Sequence, residues 1–89
     1  MTYVPHQMFY GCERLDRIAF GPGIEAVGNE AFFGCAGLME VVLGPGIVSL
    51  GQRAFAGCNE LQEFSVPDSV ENIMDGCFQE CRNLTSFTI

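Results

Sequence analysis

The 89-residue chain contains no lysine and only one histidine, and its cationic residues are four arginines set against eleven carboxylates. A formal charge of −7 gives little purchase on a polyphosphate or an anionic bilayer, both of which recruit cations. The composition therefore argues against nucleic acid and anionic membrane as partners and leaves a basic or neutral partner, or simple solubility. The missing lysine also removes a phosphate-binding loop of the Walker kind, which ends in Lys-Ser or Lys-Thr. The run GPGIEAVG is then read as a turn, and Gly28 falls too far along for a dinucleotide fingerprint. With His6 alone near one end, a Ser-His or Cys-His catalytic pair has no base to draw on, and the chain is read as non-enzymatic. No apolar run reaches the roughly 18 residues that cross a bilayer, so membrane insertion is not expected. The opening MTYVPHQMFYGC has neither a basic n-region nor a long apolar stretch, so no secretory signal is visible. That leaves two expectations: a cytoplasmic protein, or a piece of a longer one at the cell surface or secreted.

What the chain has in abundance is itself. Phe9, Phe32, Phe55 and Phe78 recur every 23 residues, as do Cys12, Cys35, Cys58 and Cys81, and Leu15, Leu38, Leu61 and Leu84. A fixed period of this length marks a supersecondary unit that cannot bury its apolar side alone and must stack on its neighbours. Three whole coils span 9–31, 32–54 and 55–77, with partial coils at 1–8 and 78–89. All belong to one solenoid.

Each coil has two halves. LDRIAF, LMEVVL, LQEFSV and LTSFTI share an L-x-x-h-x-h pattern whose end alternates as a short half-buried strand does. Stacking would align these strands in parallel, about 4.8 Å apart. Gly21-Pro22-Gly23, Gly44-Pro45-Gly46 and Pro67-Asp68-Ser69 turn the chain. A second apolar pair follows: Ile24 with Val27, Ile47 with Leu50, Val70 with Ile73. The stretch after it is long enough for one helical or 3₁₀ turn that tucks Phe and Cys inward. In-register stacking sets Arg17 beside Glu40 and Glu30 beside Arg53 as opposite-sign pairs, and Glu40 beside Glu63 as a like-charge pair.

The segments VPDSVENI, AVGNEAFFGCAGL and SLGQRAFAGCNEL resemble the BspA-type leucine-rich repeat, and the likeness covers essentially the whole chain. The resemblance implies an α/β repeat solenoid: a right-handed leucine-rich-repeat coil stack with a short parallel β-sheet and short helical or 3₁₀ turns. It also implies protein–protein interaction, often adhesion on bacterial or protist surfaces. Gly21 and Gly44 depart from the family's usual proline, Glu80 from the glycine before the fourth cysteine, and Cys77 from the alanine before the fourth phenylalanine.

Four of the five cysteines fall in one interior column, as small buried apolar residues. A coil spacing of about 4.8 Å exceeds the roughly 3.5–4.5 Å between Cβ atoms that a disulfide wants. Cys77 breaks the pattern, and Cys58, Cys77 and Cys81 form an alternative reading as a thiol- or metal-dependent site that lacks a fourth ligand. No cofactor is expected. Asn83-Leu84-Thr85 matches a glycosylation acceptor, with Leu84 claimed by the buried column.

The face left for a partner is the outward side of the strands. Alternation places Arg17, Glu40, Glu63 and Ser86 in one row and Ala19, Val42, Ser65 and Thr88 in the next. Four strands make a ribbon only about 14 Å long, small beside a standard interface. The expected function is an adhesin-like or scaffold interaction module, with a structural spacer as the alternative. Neither end shows an obvious polar cap, and LTSFTI is uncharged and β-prone, so end-to-end association or continuation of the array is a further expectation.

Overall fold

The computed structural model describes residues 2–84 and 86–88, and at residues 2, 65 and 86–88 it describes the backbone alone. Each whole coil contributes one strand to each of two four-stranded parallel sheets, and the partial coils at 1–8 and 78–89 add one strand each. The L-x-x-h-x-h halves give β2 (Arg17–Ala19), β4 (Glu40–Val42), β6 (Glu63–Ser65) and β8 (Ser86–Thr88), ordered β2-β4-β6-β8. Their register is offset by 23 residues throughout, Arg17 with Glu40, Glu40 with Glu63, Glu63 with Ser86. The second sheet, β1-β3-β5-β7, is built from β1 (Thr2–Val4), β3 (Ile24–Val27), β5 (Ser49–Leu50) and β7 (Asn72–Ile73). The apolar pairs that follow the turns belong to this second sheet, where the pattern alone promised only one. Strands of two to four residues carry no usable alternation. They form because equivalent backbones are stacked and must satisfy one another's N–H and C=O groups.

The core is a set of columns drawn from both sheets and from the turns. Phe32, Cys35, Leu38, Ile47, Leu50, Phe55, Cys58 and Leu61 are fully buried. The phenylalanine column stacks as near-parallel rings, with centroids 5.1 Å apart from Phe9 to Phe32 and from Phe32 to Phe55, and 6.0 Å from Phe55 to Phe78. Phe20 meets this column edge-on at Phe32, and Phe64 meets it at Phe55 and Phe78. The same columns are only half-buried at the first and last coils, at Phe9, Leu15, Phe78 and Leu84.

The expected helical turn takes another form. Residues 28–38 close through successive four-residue turns: Ala31 N–H donates to Gly28 C=O, Phe33 to Glu30, Cys35 to Phe32 and Leu38 to Cys35. Among the described residues no helix forms, because two residues per coil have left-handed φ. One column is Gln7, Glu30, Arg53 and Gly76, with φ from 54° to 70°; the other is Gly11, Gly34, Gly57 and Glu80, with φ from 60° to 75°. Each is the third residue of a hydrogen-bonded turn, where a type II turn requires positive φ. The last pair of turns exchanges the two: glycine stands at 76, where the equivalent positions have a side chain, and glutamate at 80, where they have glycine. Gly28 and Gly51 answer a different need. A Cβ on Gly51 would lie 2.6 Å from the backbone of Gly28, and one on Gly28 would lie 2.6 Å from that of His6.

Two outcomes follow for stability. Leu61→Ala, in a fully buried column, should cost about 2–5 kcal/mol. Leu15→Ala, at the half-buried first coil, should cost less than half of that; urea unfolding compares the two. Glu80→Gly, which removes a side chain from a left-handed position, should raise stability by about 1 kcal/mol in the same assay, and Gly57→Ala should lower it by about 1 kcal/mol.

Candidate functional site

The outward side of β2-β4-β6-β8 is where side chains escape the columns. Ile18, Val41 and Phe64 point inward from the middle of their strands, Phe64 and Val41 almost completely buried. Arg17, Glu40 and Glu63 therefore form one outer row, and Ala19 and Val42 lie in the next. The backbones of Ser65, Ser86 and Thr88 continue both rows in register. The outward direction expected of those three side chains lies outside the described residues.

Charge is distributed unevenly along the outer row. Arg17 Nε donates to Glu40 Oε1 at 3.2 Å and Nη2 donates to the same oxygen, so Arg17 and Glu40 satisfy each other. This hydrogen bond and the carboxylate charge hold the guanidinium firmly protonated. An exposed pair of this kind contributes about 0–1 kcal/mol. Glu63 sits beside Glu40 with no cation in ion-pair contact among the described residues. The second expected pair does not form: Glu30 accepts from Gln7 Nε2 at 2.8 Å, on the side away from Arg53, and no ion pair joins it to Arg53 among the described residues. Both residues occupy left-handed turn positions, which aim their side chains differently from those on a flat strand.

The surface is wider than two rows. Asp16, Met39 and Gln62, one residue before each strand, line a depression of about 330 Å³ together with Arg17, Glu40 and Glu63. A second depression of about 320 Å³ runs beside it over Glu40, Val42, Glu63 and Pro67. Met39 is 46% exposed and Val42 50%. The face thus offers three carboxylates against one already paired guanidinium, with two apolar side chains among them. Sequence reasoning missed the Asp16-Met39-Gln62 column because it looked only at the alternating pair. The signal was present: these positions are 23 apart and vary in character from coil to coil.

The cysteines have structural duties. Cys35 Sγ donates to Phe9 C=O at 3.2 Å, Cys58 Sγ to Phe32 C=O at 3.3 Å and Cys81 Sγ to Phe55 C=O at 3.1 Å. The same carbonyls accept the N–H of Cys12, Cys35 and Cys58 within their own coils. Each thiol therefore ties its coil to the one before it. All five cysteines are free thiols, and Cys77 is buried in the column it shares with Ala31 and Ala54. No group of three His, Cys, Asp or Glu side chains among the described residues is placed to hold a metal ion, so Cys58, Cys77 and Cys81 do not assemble into a metal site. Of the three, Cys58 and Cys81 are committed as donors to carbonyls. His6 is committed too: its Nδ1 accepts Asn29 N–H at 2.7 Å, as Asn29 Oδ1 accepts Gln52 N–H at 2.9 Å.

Two parallel sheets built on a 23-residue register, with leucine, phenylalanine and cysteine columns between them, define a leucine-rich-repeat solenoid. The family model for the BspA-type leucine-rich repeat region, in six copies, matches residues 1–89. The chain belongs to that family. It is similar to a leucine-rich cell surface protein of Faecalibacterium prausnitzii, at 25% identity and a TM-score of 0.95, covering all of this chain and 24% of that one. It also resembles a leucine-rich repeat protein of Bacteroides capillosus, at 26% identity and a TM-score of 0.88, covering all of this chain and 64% of that one. A leucine-rich repeat protein of T. pallidum matches at 26% identity and a TM-score of 0.69, over 98% of this chain and 51% of that one. The chain thus spans between a quarter and two thirds of these proteins. No curated protein matches it. No helix among the described residues is long and apolar enough to cross a membrane.

The thiol column carries its own pH dependence. Burial pushes Cys35 up to about 11 and Cys77 to about 12 from an ordinary 9.0, and raises Cys58 and Cys81 as well. The protonated thiol is favoured by folding, so this contribution is complete below pH 9 and is lost as pH rises through 11 to 12. Unfolding midpoints should fall progressively above pH 9. At neutral pH, alkylation followed by mass spectrometry should modify half-exposed Cys12 first and reach Cys35, Cys58 and Cys77 only on unfolding.

Proposed function

We propose that this chain is a non-catalytic protein–protein interaction module of adhesin-like or scaffold type, and that it binds through the outward face of β2-β4-β6-β8. The observation that carries this reading is the juxtaposition on one face of exposed Met39 and Val42 with Asp16, Glu40 and Glu63. Asp16 and Glu63, with no ion-pair partner among the described residues, recruit a basic partner, and the apolar side chains supply contact area once it arrives. Arg17 and Ala19 are assigned to the same face, and the backbone register of Ser65, Ser86 and Thr88 supports extending it along the strands. The similarity to a cell surface protein supports a surface location. A structural spacer within a longer array is the competing reading, and it requires nothing of the outer rows.

The half-exposed core columns at both ends favour one addition. Phe9 and Leu15 at one end, and Val70, Ile73 and Phe78 at the other, leave apolar surface that a further coil or a second copy would cover. Association by this route would extend the outer rows beyond the roughly 14 Å that four strands provide.

A library of short peptides alternating basic and apolar residues tests the binding face. Binders should lose affinity at least tenfold in Glu40→Lys/Glu63→Lys, and they should weaken steeply with salt. Peptide binding that is indifferent to both changes would leave the spacer reading in its place.

A further inference from the structure

The phenylalanine core is not the only aromatic ladder in the stack. On the turn side of the coils, Tyr10 and Phe33 stack with centroids 5.1 Å apart and an interplanar angle of 11°. The next residues in that column are Ala56 and Gln79, 23 and 46 positions beyond Phe33. The backbone does not change along the column: Gly11 N–H donates to Phe33 C=O at 2.7 Å, Gly34 to Ala56 at 2.8 Å and Gly57 to Gln79 at 2.8 Å. The coils keep their pitch while the ladder loses a rung.

Ala56 fills only the base of the vacated position; its methyl is buried, 3% exposed, and forms a floor. Above it lies a depression of about 350 Å³ lined by Phe33, Arg53, Ala56, Asn59, Gln79 and Glu80. Phe33 is half-buried and forms one wall, and Gln79, two coils further along, forms the opposite side. A planar group placed one coil beyond Phe33 would sit at the 5.1 Å spacing that the completed column of Phe9, Phe32 and Phe55 already shows.

We propose that this slot binds a tyrosine side chain of a protein partner, its ring completing the Tyr10–Phe33 stack and its hydroxyl meeting the polar rim. Stacking calls for a flat ring, and Arg53, Asn59 and Gln79 offer donors and acceptors at its edge. A partner arginine would also stack, but it would meet the positive charge of Arg53, while Glu80, the acid at the rim, is 3.5 Å from Arg82. The slot shares no residue with the outward strand face, so it stands or falls separately from the binding reading above.

The probe is N-acetyl-tyrosinamide, titrated against the folded chain and followed by NMR. Saturable upfield movement of the Ala56 methyl resonance at millimolar probe is expected, with arginine amide and methyl glucoside at least tenfold weaker. Ala56→Phe, which supplies the missing rung, should raise the unfolding midpoint and abolish the saturable shift. Phe33→Leu, which removes the stacking wall, should weaken binding at least tenfold while far-ultraviolet circular dichroism remains that of the parent. No saturable shift of Ala56, preference for arginine amide or the glucoside, or unchanged binding in both variants would overturn the proposal.

Discussion

Every coil of this protein must fit against a copy of itself displaced by 23 residues, and that single constraint governs the rest. A backbone N–H in one coil is satisfied by a carbonyl of the next or the previous coil, from Gln7 to Asn29, Glu30 to Gln52 and Arg53 to Asp75. Because each position stacks on its own equivalent, a side chain that enters the core must fit the apolar side chain stacked on it, of the same shape in the phenylalanine, cysteine and leucine columns and of a different one in Ile18, Val41 and Phe64. Flat rings satisfy this at 5.1 Å from Phe9 through Phe32 to Phe55. Glycine satisfies it where backbones nearly touch, as at Gly28 and Gly51. Cysteine satisfies it by being small while still carrying a donor, so that the carbonyl of Phe32, already bonded to Cys35 N–H, also receives the thiol of Cys58. Alanine would fill similar space without that link, and serine would bring a more costly polar group into the core.

Only part of this was legible beforehand. The register of β2, β4, β6 and β8 follows directly from the 23-residue spacing of Arg17, Glu40, Glu63 and Ser86, since a solenoid cannot slip without breaking every column at once. The second sheet was not legible. Ser49–Leu50 and Asn72–Ile73 are too short to show alternation, and their pairing exists because stacking places equivalent backbones at hydrogen-bonding distance. The turn geometry was half legible. Gly11, Gly34 and Gly57 announce a left-handed position, whereas Gln7, Glu30 and Arg53 hold the same backbone state with nothing in their chemistry to declare it. On the outward strand face, alternation located Glu40 and Val42 but passed over Met39, which precedes the strand and is exposed because the chain has not yet entered the pleat.

Departures from the repeat separate into those the fold absorbs and those it leaves open. Cys77, out of pattern in sequence, enters a column of alanines, where its extra sulfur is accommodated near the end of the stack, and its thiol is held protonated by burial. Glu80 takes a left-handed turn position that glycine holds in three other coils, while Gly76 relieves the turn before it. These changes are absorbed between neighbouring turns at the end of the stack. The step from Phe33 to Ala56 is not: the pitch persists, the ring is gone, and a depression remains with polar groups around its rim.

The same logic separates scaffold from function in the molecule as a whole. A residue whose equivalents are alike is answering to its neighbours in the stack, and its identity carries no information about anything outside. Phenylalanine, cysteine and leucine columns are of this kind, and their members in the central coils are fully buried. Information about a partner can reside only in columns where the stack tolerates difference. Among them are Asp16-Met39-Gln62, Arg17-Glu40-Glu63, Ala19-Val42-Ser65 and Tyr10-Phe33-Ala56-Gln79. The second and third run along one sheet, the first lies one residue before its strands, and the fourth lines the turns. A repeat protein of this size is therefore specified twice: once by the sameness that lets coils stack, and once by the few columns in which sameness is not required.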